Sequence, residues 1–315
     1  SKGKVINKLK PWEEDEKILE FIVSKNKTVD FIKGKYNENK DKNFHTWSAL
    51  VLGLKDYVRK NSFKKIILGL SGGIDSAVSA AIAVDALGSE NVIGLKLPSI
   101  FSSKSSLIDA DESIKILNIS SDTLRINSIH KEYQKLLNKK FNEKLLTLTD
   151  ENIQSRIRGS LLMAYSNNFS YLLISTGNKS EMSVGYSTIY GDMNGGFNVL
   201  KDVYKTDLYK LARWRNNIKF KYFKGPKGQV IPDNSIIKSP SAELKPGQKD
   251  TDNLPPYDIL DKILYYLIEK ELSVKEIIEK GFGSTVVKKV SSLVFKSEYK
   301  RRQAPIGVRI TDRSF

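Results

Sequence analysis

Apolar residues along this chain keep two alternating rhythms. Beyond Trp47, residues Leu50, Leu54, Tyr57 and Val58 recur at helical spacing on one face, and the run closes near Arg59-Lys60-Asn61. Lys65-Ile66-Ile67-Leu68-Gly69-Leu70 then reads as a strand buried on both faces. Ala77–Leu87 is a helix of small residues stopped by Gly88, and Asn91–Leu97 is a second strand closed by Pro98. Strand, helix and strand in that order form a crossover unit, which implies parallel pairing. The alternation predicts helices over 109–117 and 129–138, a strand at 122–126 between them, a long helix over 151–169 and a buried strand at 171–176. Three further helices are predicted over 206–217, 256–270 and 286–296. Together these predict a doubly wound, Rossmann-like parallel α/β sheet with additional C-terminal helices, and ligands beyond the carboxyl ends of its strands.

Two kinds of segment interrupt the rhythm. Residues 1–45 combine the acidic Pro11–Glu16 with a Lys/Asn-rich stretch at 33–43, a linker composition. They read as a linker or the remnant of a preceding domain, with one folded domain over 46–315. The polar stretches 99–106 and 224–254 are expected to be mobile lids.

Composition narrows the classes of function. The chain has 315 residues and no cysteine, which excludes disulfides, thiolate metal sites and cysteine-nucleophile chemistry within it. No apolar run reaches bilayer length and the first residues lack an apolar signal core, so a cytoplasmic protein with no membrane partner is expected. The net charge of +16 raises the question of nucleic acid. The lysines are spread along the chain rather than gathered in one block, so no nucleic-acid partner is expected. His45 and His130 lack metal-ligand spacing.

The chemistry concentrates at Gly69-Leu70-Ser71-Gly72-Gly73-Ile74-Asp75-Ser76, between the first strand and its helix. Free N–H groups and the helix dipole attract phosphate there, and two glycines let the backbone approach it. Asp75 would repel phosphate by itself, so its presence suggests a bridging divalent cation. The lysine of a Walker loop is missing and the glycine spacing is wrong for a dinucleotide fingerprint. The Ser-Gly-Gly-x-Asp-Ser loop resembles that of the ATP pyrophosphatases, of adenine-nucleotide α-hydrolase-like fold, which cleave ATP between its α and β phosphates.

Later stretches narrow the resemblance. Glu151–Gly159, Ile174–Glu181, Gly185–Phe197, Lys201–Thr206, Ser239–Leu244, Lys249-Asp250 and Glu298–Arg302 are together, in this order, similar to NAD synthetases, specifically the synthetase domain of the glutamine-dependent form. The likeness covers roughly residues 46–315. It implies ATP-dependent amidation of deamido-NAD through an adenylate, using magnesium, with ammonia supplied free or from glutamine by a glutaminase domain outside this sequence. It assigns ATP contacts to the 69–76 loop, Thr176, Lys205 and Ser241, and deamido-NAD contacts to Asn152, Arg156, Glu181 and Lys300. Asp75 and Glu181 would share the magnesium, and Asp75 and Lys205 would carry the catalytic charge. Arg158 is expected to point elsewhere and to be structural. Ile189, Tyr299 and Gly196 depart from the ammonia-only relatives, and no substrate contact is assigned to them. The resemblance also suggests a homodimer or larger homo-oligomer. The alternative is a tRNA-modifying ATP pyrophosphatase, which would use the positive charge.

Overall fold

A computed structural model describes residues 3–34, 39–218 and 222–315. Residues 35–38 of the 33–43 stretch lie outside the described residues. Seven strands and twelve α-helices are described: β1 Phe21–Val23, β2 Val29–Phe31, α1 Lys42–Lys60, β3 Ile66–Gly69, α2 Ile74–Leu87, β4 Val92–Lys96, α3 Lys104–Leu117, β5 Ser120–Thr123, α4 Asn127–Phe141, α5 Thr147–Phe169, β6 Leu172–Ser175, α6 Lys179–Val184, β7 Phe197–Asn198, α7 Lys205–Asn216, α8 Asp233–Ile237, α9 Tyr257–Leu264, α10 Val274–Glu279, α11 Ser284–Lys296 and α12 Glu298–Arg301.

The main sheet runs in the order β5-β4-β3-β6-β7, and every pairing in it is parallel. β3 is the central strand because Ile66, Ile67 and Leu68 are apolar on both faces and need cover on both sides; all three are fully buried. The chain passes from β3 through α2 to β4 and through α3 to β5, then crosses back to place β6 on the other side of β3. The order therefore reverses between β3 and β6, which opens a crevice at their carboxyl ends. α2 is almost wholly buried, and its alanines let α1 and the sheet approach it closely. Trp47, Leu50, Leu54 and Val58 of α1 supply the other side of that core.

Asp85, inside α2, accepts the Trp47 indole N–H at 2.8 Å and both Arg215 Nε and Nη2, at 2.7 and 2.8 Å. Asp85→Ala would leave a buried guanidinium without its anion, which costs about 3–5 kcal/mol. A chemical melt should show that loss, whereas a surface aspartate such as Asp56 changed to alanine should show almost none.

The C-terminal helices build a second apolar cluster from Leu260, Ile263, Leu264, Ile277, Val287 and Val290, joined by Val184 and Tyr204 from the sheet side. Several elements differ from the sequence expectation. α3 begins at Lys104 rather than 109, because Ser103 Oγ accepts the Ser106 N–H as its cap. The strand expected at 122–126 lies at 120–123 on the exposed edge. The helix expected over 256–270 is α-helical only to Leu264 and continues as a π turn, Tyr265–Glu269. Within 1–45, read as a linker or the remnant of a preceding domain, β1 and β2 form an antiparallel hairpin in which Phe21 faces Phe31.

Candidate active site

The loop between β3 and α2 lies at the switch point, opposite the end of β6. Gly72 takes φ +80°, and a Cβ there would come 2.0 Å from the Ser106 carbonyl oxygen, so α3 packs directly on the loop. Gly73 has ordinary negative φ of −79°, so only the first of the two glycines needs the left-handed region. Ser76 Oγ donates to the Gly73 carbonyl at 3.0 Å, and Ser235 Oγ of α8 donates to the Gly72 carbonyl at 3.1 Å. No side chain caps α2, so its first N–H groups face the crevice.

Three sequence-predicted residues meet beside the loop. Lys205, at the start of α7 and 1% exposed, puts its Nζ 2.5 Å from Asp75 Oδ2 and 3.0 Å from Glu181 Oε1. An ammonium thus stands between the two carboxylates expected to share magnesium. Burial pushes the Glu181 carboxyl up to about 7, aided by the negative charges of Asp75 and Asp250 and opposed by Lys205. Burial alone would lower the Lys205 pKa, but Asp75 and Glu181 outweigh it and hold the ammonium firmly charged. Among the described residues no group of three or more His, Cys, Asp or Glu side chains has the spacing to hold a metal by itself.

A cavity of about 310 Å³ extends from this cluster, lined by the 69–76 loop, Leu95, Leu97, Leu162, Thr176 and Arg158 among others. Its size and apolar wall suit a nucleoside. Ser241 lines it from the 239–248 segment and donates to the Gln248 carbonyl at 2.6 Å. Glu243 of that segment, at φ +47°, accepts the Ser103 N–H, the Ser103 hydroxyl and the Ser106 hydroxyl at 3.1, 2.8 and 2.6 Å. The two stretches expected to be lids are therefore bonded to each other over the cavity.

Asn152, Arg156 and Lys300 do not line this cavity. They converge on the loop after α6: Asn152 accepts the Thr188 hydroxyl at 2.8 Å and Arg156 Nε donates to the Ile189 carbonyl at 3.3 Å. Lys300 Nζ donates to the Gly185 and Ser187 carbonyls at 2.8 and 2.7 Å. Burial depresses the Lys300 ammonium and Arg156 adds to the depression, while Asp192 opposes it. Two cations are thus set close together, an arrangement that favours an anionic visitor.

Arg158 points away from Arg156, as expected; its Nε donates to the Leu97 carbonyl at 2.9 Å, and its side chain also lines the cavity. Burial lowers its pKa to about 10, with Glu243 and Asp192 opposing. A guanidinium half-buried in a nucleotide-sized cavity was hidden in the sequence by Arg156, whose neighbouring position on α5 turns outward. Asn178 was also missed. It caps α6, accepting the Glu181 N–H at 3.0 Å, and donates to Asp75 Oδ1 at 2.7 Å, tying the two strand ends together. Thr176, expected as an ATP contact, lines the cavity, and the capping of α6 falls to Asn178.

Residues 46–304 match the NAD synthase family. The chain is 47% identical, over all of its length, to a glutamine-dependent NAD(+) synthetase of Synechocystis sp., of which it covers 54%. It is 50% identical over 91% of its length to a relative of the same name from Aquifex aeolicus, of which it covers 49%. The chain thus spans about half the length of the curated relatives it matches. Among solved structures, a glutamine-dependent NAD+ synthetase from Acinetobacter baumannii in complex with adenosine diphosphate matches with TM-score 0.63 and 42% identity, over 92% of this chain and 51% of that one. An NMN synthetase from Francisella tularensis matches with TM-score 0.68 and 26% identity, over 82% of this chain and 95% of that one.

Proposed function

The chain belongs to the NAD synthase family, and from that premise we propose that it amidates deamido-NAD with ammonia, splitting ATP to AMP and pyrophosphate. One observation carries the reading: at the switch point the buried Lys205 ammonium joins Asp75 of the phosphate loop to Glu181 of α6. The nicotinate carboxylate attacks the α phosphorus, a P–O bond forms, and the bond to the β phosphate's bridging oxygen breaks. Pyrophosphate is received by the loop N–H groups and Ser71 and Ser76, with Lys205 balancing the charge that grows on it. Ammonia then attacks the activated carbonyl carbon, loses a proton, and AMP leaves. The clasp of Glu243 on Ser103 and Ser106 keeps water from the adenylate. Arg158 supports the nucleoside end of ATP, with Thr176 and Ser241 along the same wall. Arg156 and Lys300 support the anionic substrate, with Asn152 fixing the loop beneath it.

Magnesium fits the cluster. Asp75, Glu181 and Asp250 bring three carboxylates to one ammonium, and magnesium characteristically takes one or two carboxylates plus substrate phosphates. Asp75 and Glu181 would hold it, and it would supply further neutralisation of phosphate charge. We place the enzyme in the cytoplasm as a homodimer or larger homo-oligomer, without nucleic-acid or membrane partners; among the described residues no helix is long and apolar enough to cross a membrane. Residues 1–45 are read as the link to a glutaminase domain that would deliver ammonia, and the chain itself as accepting free ammonia.

The deciding measurement is AMP release from ATP with each component omitted in turn. Release that needs both deamido-NAD and ammonia is expected. Release with tRNA alone would replace the reading by RNA modification, and release with nicotinate mononucleotide alone would move it to the mononucleotide.

A further inference from the structure

α7 carries Lys205 at its first residue, yet the sequence gives that helix no cap of its own: the side chain of the preceding Tyr204 makes no capping bond. Its first N–H groups are satisfied from other elements. The Lys205 N–H donates to Ser180 Oγ of α6 at 2.9 Å, and the Thr206 N–H donates to Asp261 Oδ2 of α9 at 2.8 Å. Ser180 Oγ in turn donates to Asp261 Oδ1. Asp261, 6% exposed, therefore holds the start of α7 and the start of α6 with one carboxylate. A carboxylate at a helix N-terminus is also favoured by the helix dipole.

One turn away on the same face of α9 stands Tyr257. Its hydroxyl donates to Asp250 Oδ2 at 2.9 Å and lies 3.3 Å from Glu181 Oε1. Its ring lies 5.4 Å from the Lys205 ammonium, within cation–π reach. Neither Tyr257 nor Asp261 lines the cavity. The backbone end and the charged end of Lys205 are thus both gripped by a single face of α9, which is anchored in the C-terminal helical cluster through Leu260, Ile263 and Leu264.

We propose that Tyr257 and Asp261 are positioning residues for Lys205 and Glu181, so that the C-terminal helical layer sets the geometry at which charge on the leaving phosphate is met. This rests on the role given above to Lys205. Asp261 fixes where α7 begins, and hence where the lysine stem starts. Tyr257 fixes where the ammonium and the Glu181 carboxylate end.

The test uses the chain with free ammonia and compares Tyr257→Phe, Tyr257→Leu, Asp261→Ala and Asp261→Asn. Tyr257→Phe keeps the ring and loses a hydrogen bond within a charged cluster, and kcat should fall about tenfold with KM for ATP nearly constant. Tyr257→Leu loses the ring as well and should fall further. Asp261→Ala should lower kcat about a hundredfold through misplacement of Lys205. Asp261→Asn keeps an acceptor for Thr206 N–H and should recover much of that loss. The second readout needs no substrate: the side-chain ammonium resonance of Lys205 in protein labelled with nitrogen-15 lysine. It should shift or broaden in Tyr257→Leu and Asp261→Ala, while the fully buried Lys179, bound by Asp202 and Glu269, keeps its resonance and reports an intact fold. An unchanged Lys205 resonance, or a loss that falls wholly on KM with kcat intact, overturns the proposal. If the parent chain releases no AMP with deamido-NAD and ammonia, the functional reading fails, and the resonance still decides the positioning.

Discussion

Replacing Lys205 by methionine should lower AMP release by about a hundredfold to a thousandfold, the usual loss when one charge-stabilising donor is removed from an enclosed site. The ammonium is the shared partner of Asp75 and Glu181, at 2.5 and 3.0 Å. Its removal leaves two carboxylates turned toward each other, with Asp250 close enough to add its repulsion to Glu181. The substitution keeps the length and apolar stem of the side chain, so packing against Tyr257 survives. ATP should still bind through the 69–76 loop, so the loss should appear in kcat far more than in KM. Steady-state kinetics with saturating ammonia would read this, and a fall smaller than tenfold would remove Lys205 from the reaction.

The second large effect is expected at Gly72. A methyl group there would sit 2.0 Å from the Ser106 carbonyl oxygen, at a φ of +80° that alanine resists. The neighbour is backbone at the first turn of α3, so the phosphate loop itself must move. A displacement of about 1 Å between loop and phosphate is enough for a hundredfold loss, and Gly72→Ala should lose that much in kcat/KM for ATP. Gly73→Ala is the matching control. Its φ is −79°, and its Cβ would lie 3.3 Å from a serine hydroxyl that can rotate. Equal losses in the two variants would show that the loop tolerates no side chain anywhere and that the contact with α3 is irrelevant.

The central part of this fold was legible because its signals are local. Ile66–Leu68 is continuous in apolar residues, Gly88 stops α2, and the glycine pair marks the phosphate turn. The parallel pairing followed from the strand–helix–strand crossover once those elements were placed, while the strand order did not. Which residues converge on the candidate site was legible where one short stretch carries its own chemistry, as at 69–76 and 176–181. What stayed hidden depends on distant partners. Tyr257 joins the Lys205 cluster through a hydrogen bond to Asp250 and a ring contact with the ammonium, and its own position has no pattern that announces it. Arg156 and Arg158 both look polar on the same helix, yet two residues apart they point to opposite sides of α5, so one lines the cavity and the other is exposed. The meeting of Lys205 with Asp75 needs a fold that closes 130 residues. Short elements such as α6, α8 and β7 had too few turns or pairs to create a readable period.

Lys179 shows what such long closures mean for the order in which the molecule is completed. Its ammonium, without any exposed surface, is held by Asp202, Glu269, the Thr311 hydroxyl and the Arg313 carbonyl. Asp202 in turn receives the Ile310 and Thr311 N–H groups, at 2.7 and 2.8 Å. A chain growing from its N-terminus has made the phosphate loop and most of the sheet long before residues 310–313 exist. Until they arrive, the charge at the start of α6 has no full set of partners, and an uncompensated buried ammonium resists burial. The phosphate loop can form early, while the full set of partners for Lys179 waits for residues 310–313.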